Sequence, residues 1–278
     1  MKTNSPKLLL LAAVAIAMTA TSGAQTVLFD MGRKDGGTNG TLVSNPATPI
    51  AGSGTFYWNS FGNSTQVQSG SFSNFVDVLN SPLVGWSISN LSANMQANGL
   101  LNGGLAAGAT SSGVPVGENP SFSNLGIFAV SAATGDYWFL DGGGSPATAS
   151  FSLSGLDNAK TYNFTFFGSR WINTGTRATT YRAIGAGGTL SSAPLVTSGV
   201  DVGVGGYDGN NNTTVSLNGV QPVSGAITIE FSNSTGQFGY LNLMQVDVVP
   251  EPTTNALLIL AALAGSWLFL RRKTEAAI

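Results

Sequence analysis

Arg170, Arg177 and Arg182 fall within 13 positions of a chain otherwise nearly bare of positive charge. Between Gln25 and Val249 the basic residues are these three with Arg33, Lys34 and Lys160, against eleven acidic ones, a net charge of −5. A guanidinium presents a rigid fork of N–H donors that matches a carboxylate, so the cluster has the chemistry to grip a uronic acid. Trp171 adjoins Arg170 in a polar stretch, where an indole face can stack on the apolar face of a sugar ring. Arg170, Trp171 and Arg177 are therefore the candidate glycan contacts. The competing use of the arginines is pairing with Asp136, Asp141 or Glu230 to tie strand ends.

Other constellations carry less. Asp201, Asp208 and the run Asn210-Asn211-Asn212 supply oxygens of the kind calcium takes, but in no EF-hand or nonapeptide pattern, and a turn is the simpler expectation. Ile184-Gly185-Ala186-Gly187-Gly188 has the composition of a nucleotide loop, yet no helix follows to offer amides to phosphate, so it is expected to be a turn between strands. Asp136 and Asp141 flank an aromatic segment without the context that would mark a glycosidase pair. Asn-x-Ser/Thr matches at Asn163 and Asn233 are expected by chance in so Asn- and Thr-rich a chain. The sequence holds no histidine and no cysteine, which excludes Ser-His-Asp and Cys-His catalysis and every His- or Cys-ligated zinc site. No catalytic residue, metal ligand or cofactor is assigned, and a non-enzyme is expected. The negative balance argues against nucleic acid, which demands a basic footprint.

Strands must position these residues. Val27–Phe29, Ala149–Leu153, Thr161–Phe167, Thr179–Ile184, Thr213–Leu217, Ala226–Phe231 and Tyr240–Val248 read as strands, separated by turn clusters such as Ser154–Asn158 and Asp208–Asn212. Phe151 with Leu153, Tyr162 with Phe164 and Phe166, and Ile227 with Ile229 and Phe231 each share one face at period two. Where aromatics are adjacent, at Tyr57-Trp58, Tyr137-Trp138 and Phe166-Phe167, alternation sends one of each pair inward. Phe72–Leu79 and Leu91–Leu101 are the places where short helices are expected, with long loops over 99–120. The fold expected is all-β: a single antiparallel β-sandwich or jelly roll over 25–248. Without cysteine its stability must come from core burial.

The wording from Ser154 to Gly168, then Ser169-Arg170, Arg177–Tyr181, Gly225–Ile229 and Gly239–Asn242, resembles a galactose-binding-like or carbohydrate-binding-module-like jelly roll over about 137–247. That resemblance implies ligand binding only as a fold-level expectation.

Both ends read as targeting segments. Lys2 and Lys7 precede the apolar stretch Leu8–Met18, and Ser22-Gly23-Ala24 places small residues at −3 and −1, so residues 1–24 are a signal peptide cut between Ala24 and Gln25. At the other end Pro250-Glu251-Pro252 precedes the uncharged Thr253–Leu270 and then Arg271, Arg272 and Lys273. Eighteen residues span roughly 27 Å as a helix, just enough for a bilayer core, and the basic cluster holds its flank on the cytoplasmic side. The alternative is a plain anchor that is never cut.

Motif, span and basic stop over 249–273 closely resemble the PEP-CTERM sorting signal of Gram-negative bacteria, the chain departing only in its last five residues, Thr274–Ile278. The resemblance implies processing by a membrane-embedded exosortase after passage through the secretion translocon and signal peptidase. It also implies a transient inner-membrane stage, then the cell surface or an extracellular matrix with exopolysaccharide. Three functions are carried forward: a non-enzymatic surface or matrix protein, a carbohydrate-binding module with a defined glycan site, and a His-independent polysaccharide hydrolase or lyase.

Overall fold

Alternating apolar faces on two separate sheets, closed against each other, account for the architecture. The structure, a computed structural model, describes residues 25–31, 56–61, 71–98, 110–111, 114–115, 123–129, 131–134 and 137–250. The expected cleavage residue Ala24, and Glu251, Pro252, Arg271, Arg272 and Lys273, lie outside them. Among the described residues no helix is long and apolar enough to cross a membrane.

In chain order the strands are β1 (Gln25–Asp30), β2 (Asn59–Ser60), β3 (Phe72–Ser73), β4 (Ser87–Ser89), β5 (Met95–Asn98), β6 (Thr110–Ser111) and β7 (Val114–Pro115). After a 3-10 turn at Ser123–Phe128 and one helical turn at Ser131–Thr134 come β8 (Tyr137–Asp141), β9 (Thr148–Ser154), β10 (Lys160–Phe167) and β11 (Arg177–Gly185). The remainder are β12 (Gly188–Ser191), β13 (Leu195–Ser198), β14 (Val215–Val220), β15 (Ala226–Thr235), β16 (Phe238–Leu241) and β17 (Leu243–Pro250).

One sheet runs β14-β10-β17-β1-β2, the other β12-β11-β15-β9-β4-β3 with β13 also on β11, and a third, small sheet runs β16-β8-β5. β1 pairs with β17, β10 with β14, β11 with β12, β13 and β15, β15 with β9, β4 with β9, and β8 with β5 and β16, all antiparallel, while β1 and β2 are parallel. A single apolar cluster joins the two large sheets: Phe29, Phe164, Phe166 and Val246 from one, Phe151, Tyr181, Ile229 and Phe231 from the other. The rings of Phe166 and Tyr181 stack across it at 4.7 Å. This is an all-β sandwich of antiparallel sheets.

A second cluster explains why adjacent aromatics are buried together. Leu28, Phe167 and Leu243 alternate with core residues of β1, β10 and β17, so they lie on the sheet's other face, where Trp58, Leu125 and Phe128 cover them. Phe166 and Phe167 are both fully buried for that reason, and Tyr137 and Trp138 are both buried too, Trp138 in the main core and Tyr137 against the Tyr240 ring.

Of the helices expected at 72–79 and 91–101, neither is formed among the described residues, 99–101 lying outside them. Asn74 and Asn80 take left-handed φ values of 63° and 68°, which a helix cannot hold, and the Asp77 carboxylate accepts from the Leu79 and Ser81 amides. Buried Asn59 clamps the same segment, its amide donating to Val76 O and accepting from Val76 N. Met95–Asn98 is a strand because β8 completes its backbone hydrogen bonds, Met95 opposite Leu140. The continuous strand expected over Tyr240–Val248 is two strands, broken at Asn242. Gly185 and Gly188 close the β11–β12 hairpin, so the glycine run is the turn its composition suggested.

Candidate functional site

The small sheet positions the site. Trp138, Leu140, Leu241 and Met95 enter the main core, so alternation turns Tyr137 and Phe139 of β8, with Phe238 and Tyr240 of β16, to the opposite face. Register places Tyr240 opposite Phe139, which brings the four rings together. Tyr137 meets Tyr240 edge-on at 5.1 Å and Phe139 edge-on at 5.8 Å, and Phe238 stacks against Tyr240 at 6.3 Å. Tyr137 and Tyr240 are buried, while Phe139 and Phe238 remain partly open.

Two guanidinium groups border this face. Arg177 opens β11, donates to the Tyr240 hydroxyl, and lies over the Phe238 ring at 4.5 Å. Arg170 stands 6.0 Å from the ring centres of both Tyr137 and Tyr240. Burial pushes the Tyr240 phenol above its ordinary value, opposed by the charges of Arg170 and Arg177. Both arginines are half-buried. Among the described residues the salt bridges are Lys160–Asp157 and Arg182–Glu230, so neither Arg170 nor Arg177 is matched by a carboxylate there.

Buried polar groups fix the loop that carries Arg170. Asn242 accepts from the Ser169 amide at 2.8 Å, Asn210 donates to Gly168 O at 3.0 Å, and the Arg170 amide donates to Thr197 O at 3.0 Å. Under them the Tyr181 hydroxyl donates to Tyr240 O at 2.5 Å, and Tyr240 N donates to Thr179 Oγ1. The arginines are thus held in place by a rigid scaffold.

Of the candidate contacts, the structure brings Arg170 and Arg177 together over one aromatic face. Trp171 does otherwise: it packs, partly buried, against the second core cluster. Arg182 serves the structural role, its Nη1 lying 3.7 Å from Glu230 directly across β11 and β15. Asp141 accepts from Gln237 Nε2 and Gly143 N, and Asp136 lies outside the described residues. Asp208 accepts from the Asp201 amide, Asn211 exchanges bonds with Val204, and Asn210 accepts from Thr213 N. Those oxygens serve their own loop, and among the described residues no group of three acidic side chains could hold a metal. Asn233 is likewise a clamp, bonded to Ala147, Ser145, Gly236 and Gln237.

Phe139, Phe238 and Tyr240 were not anticipated. Their signal in the sequence is the pair of aromatic dyads Tyr137-x-Phe139 and Phe238-x-Tyr240, each placing two rings on one face of a strand.

The buried phenols make the domain sensitive to alkali. Burial raises the folded-state values of Tyr181, Tyr207 and Tyr240 above the unfolded phenol value of about 10. A raised value contributes stability that is fully present below pH ~10 and is lost as pH climbs through the folded values, because the unfolded chain ionises first. The melting temperature is expected to hold from neutral to mildly alkaline pH and to fall steeply above pH ~10, with tyrosinate absorbance rising together with unfolding.

No protein-family model matches the chain, and no curated protein matches it in sequence. Its fold is similar to TmCBM61, solved in complex with beta-1,4-galactotriose, at 14% identity and a TM-score of 0.28 over 58% of this chain and 86% of that one. It is similar also to CBM35 from Cellvibrio japonicus Abf62, at 17% identity and a TM-score of 0.26 over 39% of this chain and 70% of that one. A third is the Clostridium thermocellum xylanase 10B structure with CBM22-1 and GH10 modules, complexed with xylohexaose, at 16% identity and a TM-score of 0.25 over 43% and 22%. The similarity to carbohydrate-binding modules is distant and structural.

Proposed function

We propose that residues 25–248 form an exported, non-catalytic jelly roll that associates with an acidic polysaccharide through the partly open rings of Phe139 and Phe238, bordered by Arg170 and Arg177. The observation that carries the proposal is the convergence of two guanidinium groups on one aromatic face with no carboxylate partner among the described residues. An aromatic ring offers a surface for the C–H face of a sugar, and a guanidinium fork a partner for its carboxylate. Trp171 is not part of this surface. The third function carried forward, a His-independent hydrolase or lyase, would need two carboxylates converging on the same face.

Affinity electrophoresis in a polyuronate gel and in a neutral glucan gel tests it. The wild-type domain is expected to be retarded by the polyuronate alone, less so as salt rises. Arg177→Ala is expected to weaken retardation about tenfold to a hundredfold, the loss of one charge-assisted interaction. Equal migration of wild type and variant in both gels would overturn the glycan site and leave a matrix protein without one.

Export and sorting belong to the same proposal. The order of motif, apolar span and basic stop supports processing by an exosortase, with Glu251, flanked in sequence by two prolines, as the recognised residue. In a host that carries such an enzyme, Glu251→Ala is expected to leave full-length protein in the inner membrane while wild type moves outward and loses its tail. Equal mass and distribution of the two forms would leave an ordinary anchor in place of a sorting signal.

A further inference from the structure

The outer face of the small sheet has two chemically different sides. The order β16-β8-β5 puts β5 two strands away from Phe238 and Tyr240, the rings that Arg177 touches. The alternation that turns Tyr137 and Phe139 outward also turns Asp141 outward, at the exposed end of β8, where register sets it opposite Phe238. Gln96 of β5 lies opposite Phe139 and takes the same face, since its neighbour Met95 enters the core.

Asp141 is braced in place. Its Oδ1 accepts from Gly143 N at 2.8 Å and from Gln237 Nε2 at 2.7 Å, and its Oδ2 accepts no hydrogen bond among the described residues. A carboxylate oxygen is a strong acceptor for a hydroxyl, and a primary amide both donates and accepts. The partly open Phe139 ring is thus flanked by groups suited to the hydroxyls of a neutral sugar. The same carboxylate repels a second carboxylate brought onto that ring. Neighbouring strands lie about 4.8 Å apart, close to the length that one pyranose unit adds to a glycan chain. A chain lying across the strands therefore advances by one ring between Phe238 and Phe139.

We propose, resting on the glycan reading above, that this site takes a polysaccharide in which uronate and neutral sugars alternate. The uronate carboxylate meets Arg177, the next ring covers Phe139, and Asp141 and Gln96 bind the hydroxyls of that ring. Asp141 determines specificity, because it disfavours a polymer with a carboxylate on every ring.

The test is affinity electrophoresis in gels of hyaluronan, whose glucuronate alternates with neutral N-acetylglucosamine, and of polygalacturonate, charged on every ring. The wild-type protein is expected to be retarded more by hyaluronan, although that polymer carries fewer charges. Asp141→Asn is expected to reduce this preference about twofold to fivefold, the scale of one exposed charge interaction. Asparagine retains an acceptor for Gly143 N, and the ratio between the two gels, taken on one preparation, does not depend on the fraction folded. Stronger retardation by polygalacturonate, or a preference that Asp141→Asn leaves unchanged, overturns this inference and leaves the glycan site standing. No retardation of wild type in either gel overturns the glycan reading and this inference with it.

Discussion

Trp138→Ala is expected to lower the stability of the domain by about 3–5 kcal/mol, the range for removing a buried large aromatic from a packed core. Trp138 is completely buried on the inner face of β8. Its ring lies 5.0 Å from Phe61 and 5.7 Å from Phe151, so it joins the small sheet to the main core. Against a typical total of about 5–15 kcal/mol, such a loss leaves a marginal fold. Its indole nitrogen has no hydrogen-bond partner among the described residues, so Trp138→Phe loses volume without orphaning a second group there. That variant is expected to cost clearly less. Urea denaturation of the three proteins measures both differences. A cost below 1 kcal/mol for the alanine variant would mean that the small sheet is not anchored through this residue.

Asn242→Ala is expected to cost about 2–4 kcal/mol and to weaken polysaccharide binding together with it. The Asn242 side chain is fully buried; it accepts from Ser169 N and donates to Thr134 O at 3.0 Å. Alanine would leave the Ser169 amide without this acceptor and remove one donor from the Thr134 carbonyl, a lost buried partner costing about 1–3 kcal/mol. Ser169 precedes Arg170, so the same change frees the loop that holds one guanidinium against Tyr137 and Tyr240. Asn242→Asp retains the acceptor for Ser169 but loses the donor to Thr134 and brings a charge into an enclosed site, so it is expected to be no milder. Melting curves and gel retardation on the same preparations check the two effects. Full binding at native stability would show that the loop is fixed by its other contacts.

The parts of this fold that could be read from sequence are those where one face of a strand is buried and the other wet. Phe151 with Leu153, Tyr162 with Phe164 and Phe166, and Ile227 with Ile229 and Phe231 sit in the core at the expected period, because each strand has a single apolar side to hide. Alternation sends Trp138 and Phe166 into the core, but it cannot show that Phe167 meets a second cluster and Tyr137 the ring of Tyr240 on the opposite face. Phe75, Val78 and Leu79 imitate helical spacing in 72–79, but left-handed Asn74 and the Asp77 carboxylate decide that segment's path. Buried asparagines 59, 210, 233 and 242 read in sequence as turn formers; they act as clamps whose partners are as much as 108 positions away. At the site, scarcity of positive charge singled out Arg170 and Arg177. Their aromatic partners come from β8 and β16, about a hundred positions apart, and only the pairing of those strands brings them together. Trp171 faced the opposite problem: its polar neighbours suggest exposure, while the fold gives it an apolar wall.

The position of β17 also governs when this protein can fold. The first strand of the domain finds its partner more than 200 positions later, as the bond from Thr26 to Asp247 marks. Until that last strand is available, the five-stranded sheet has a gap at its centre: β10 and β1 each lack a neighbour, and the apolar sides of both stay open. Loop closure over such a separation is entropically costly and makes the topology slow to assemble. A chain emerging N-terminus first therefore stays unlocked over nearly its whole length, fit to be threaded through a narrow passage, and becomes a barrier to threading only when its final strand arrives.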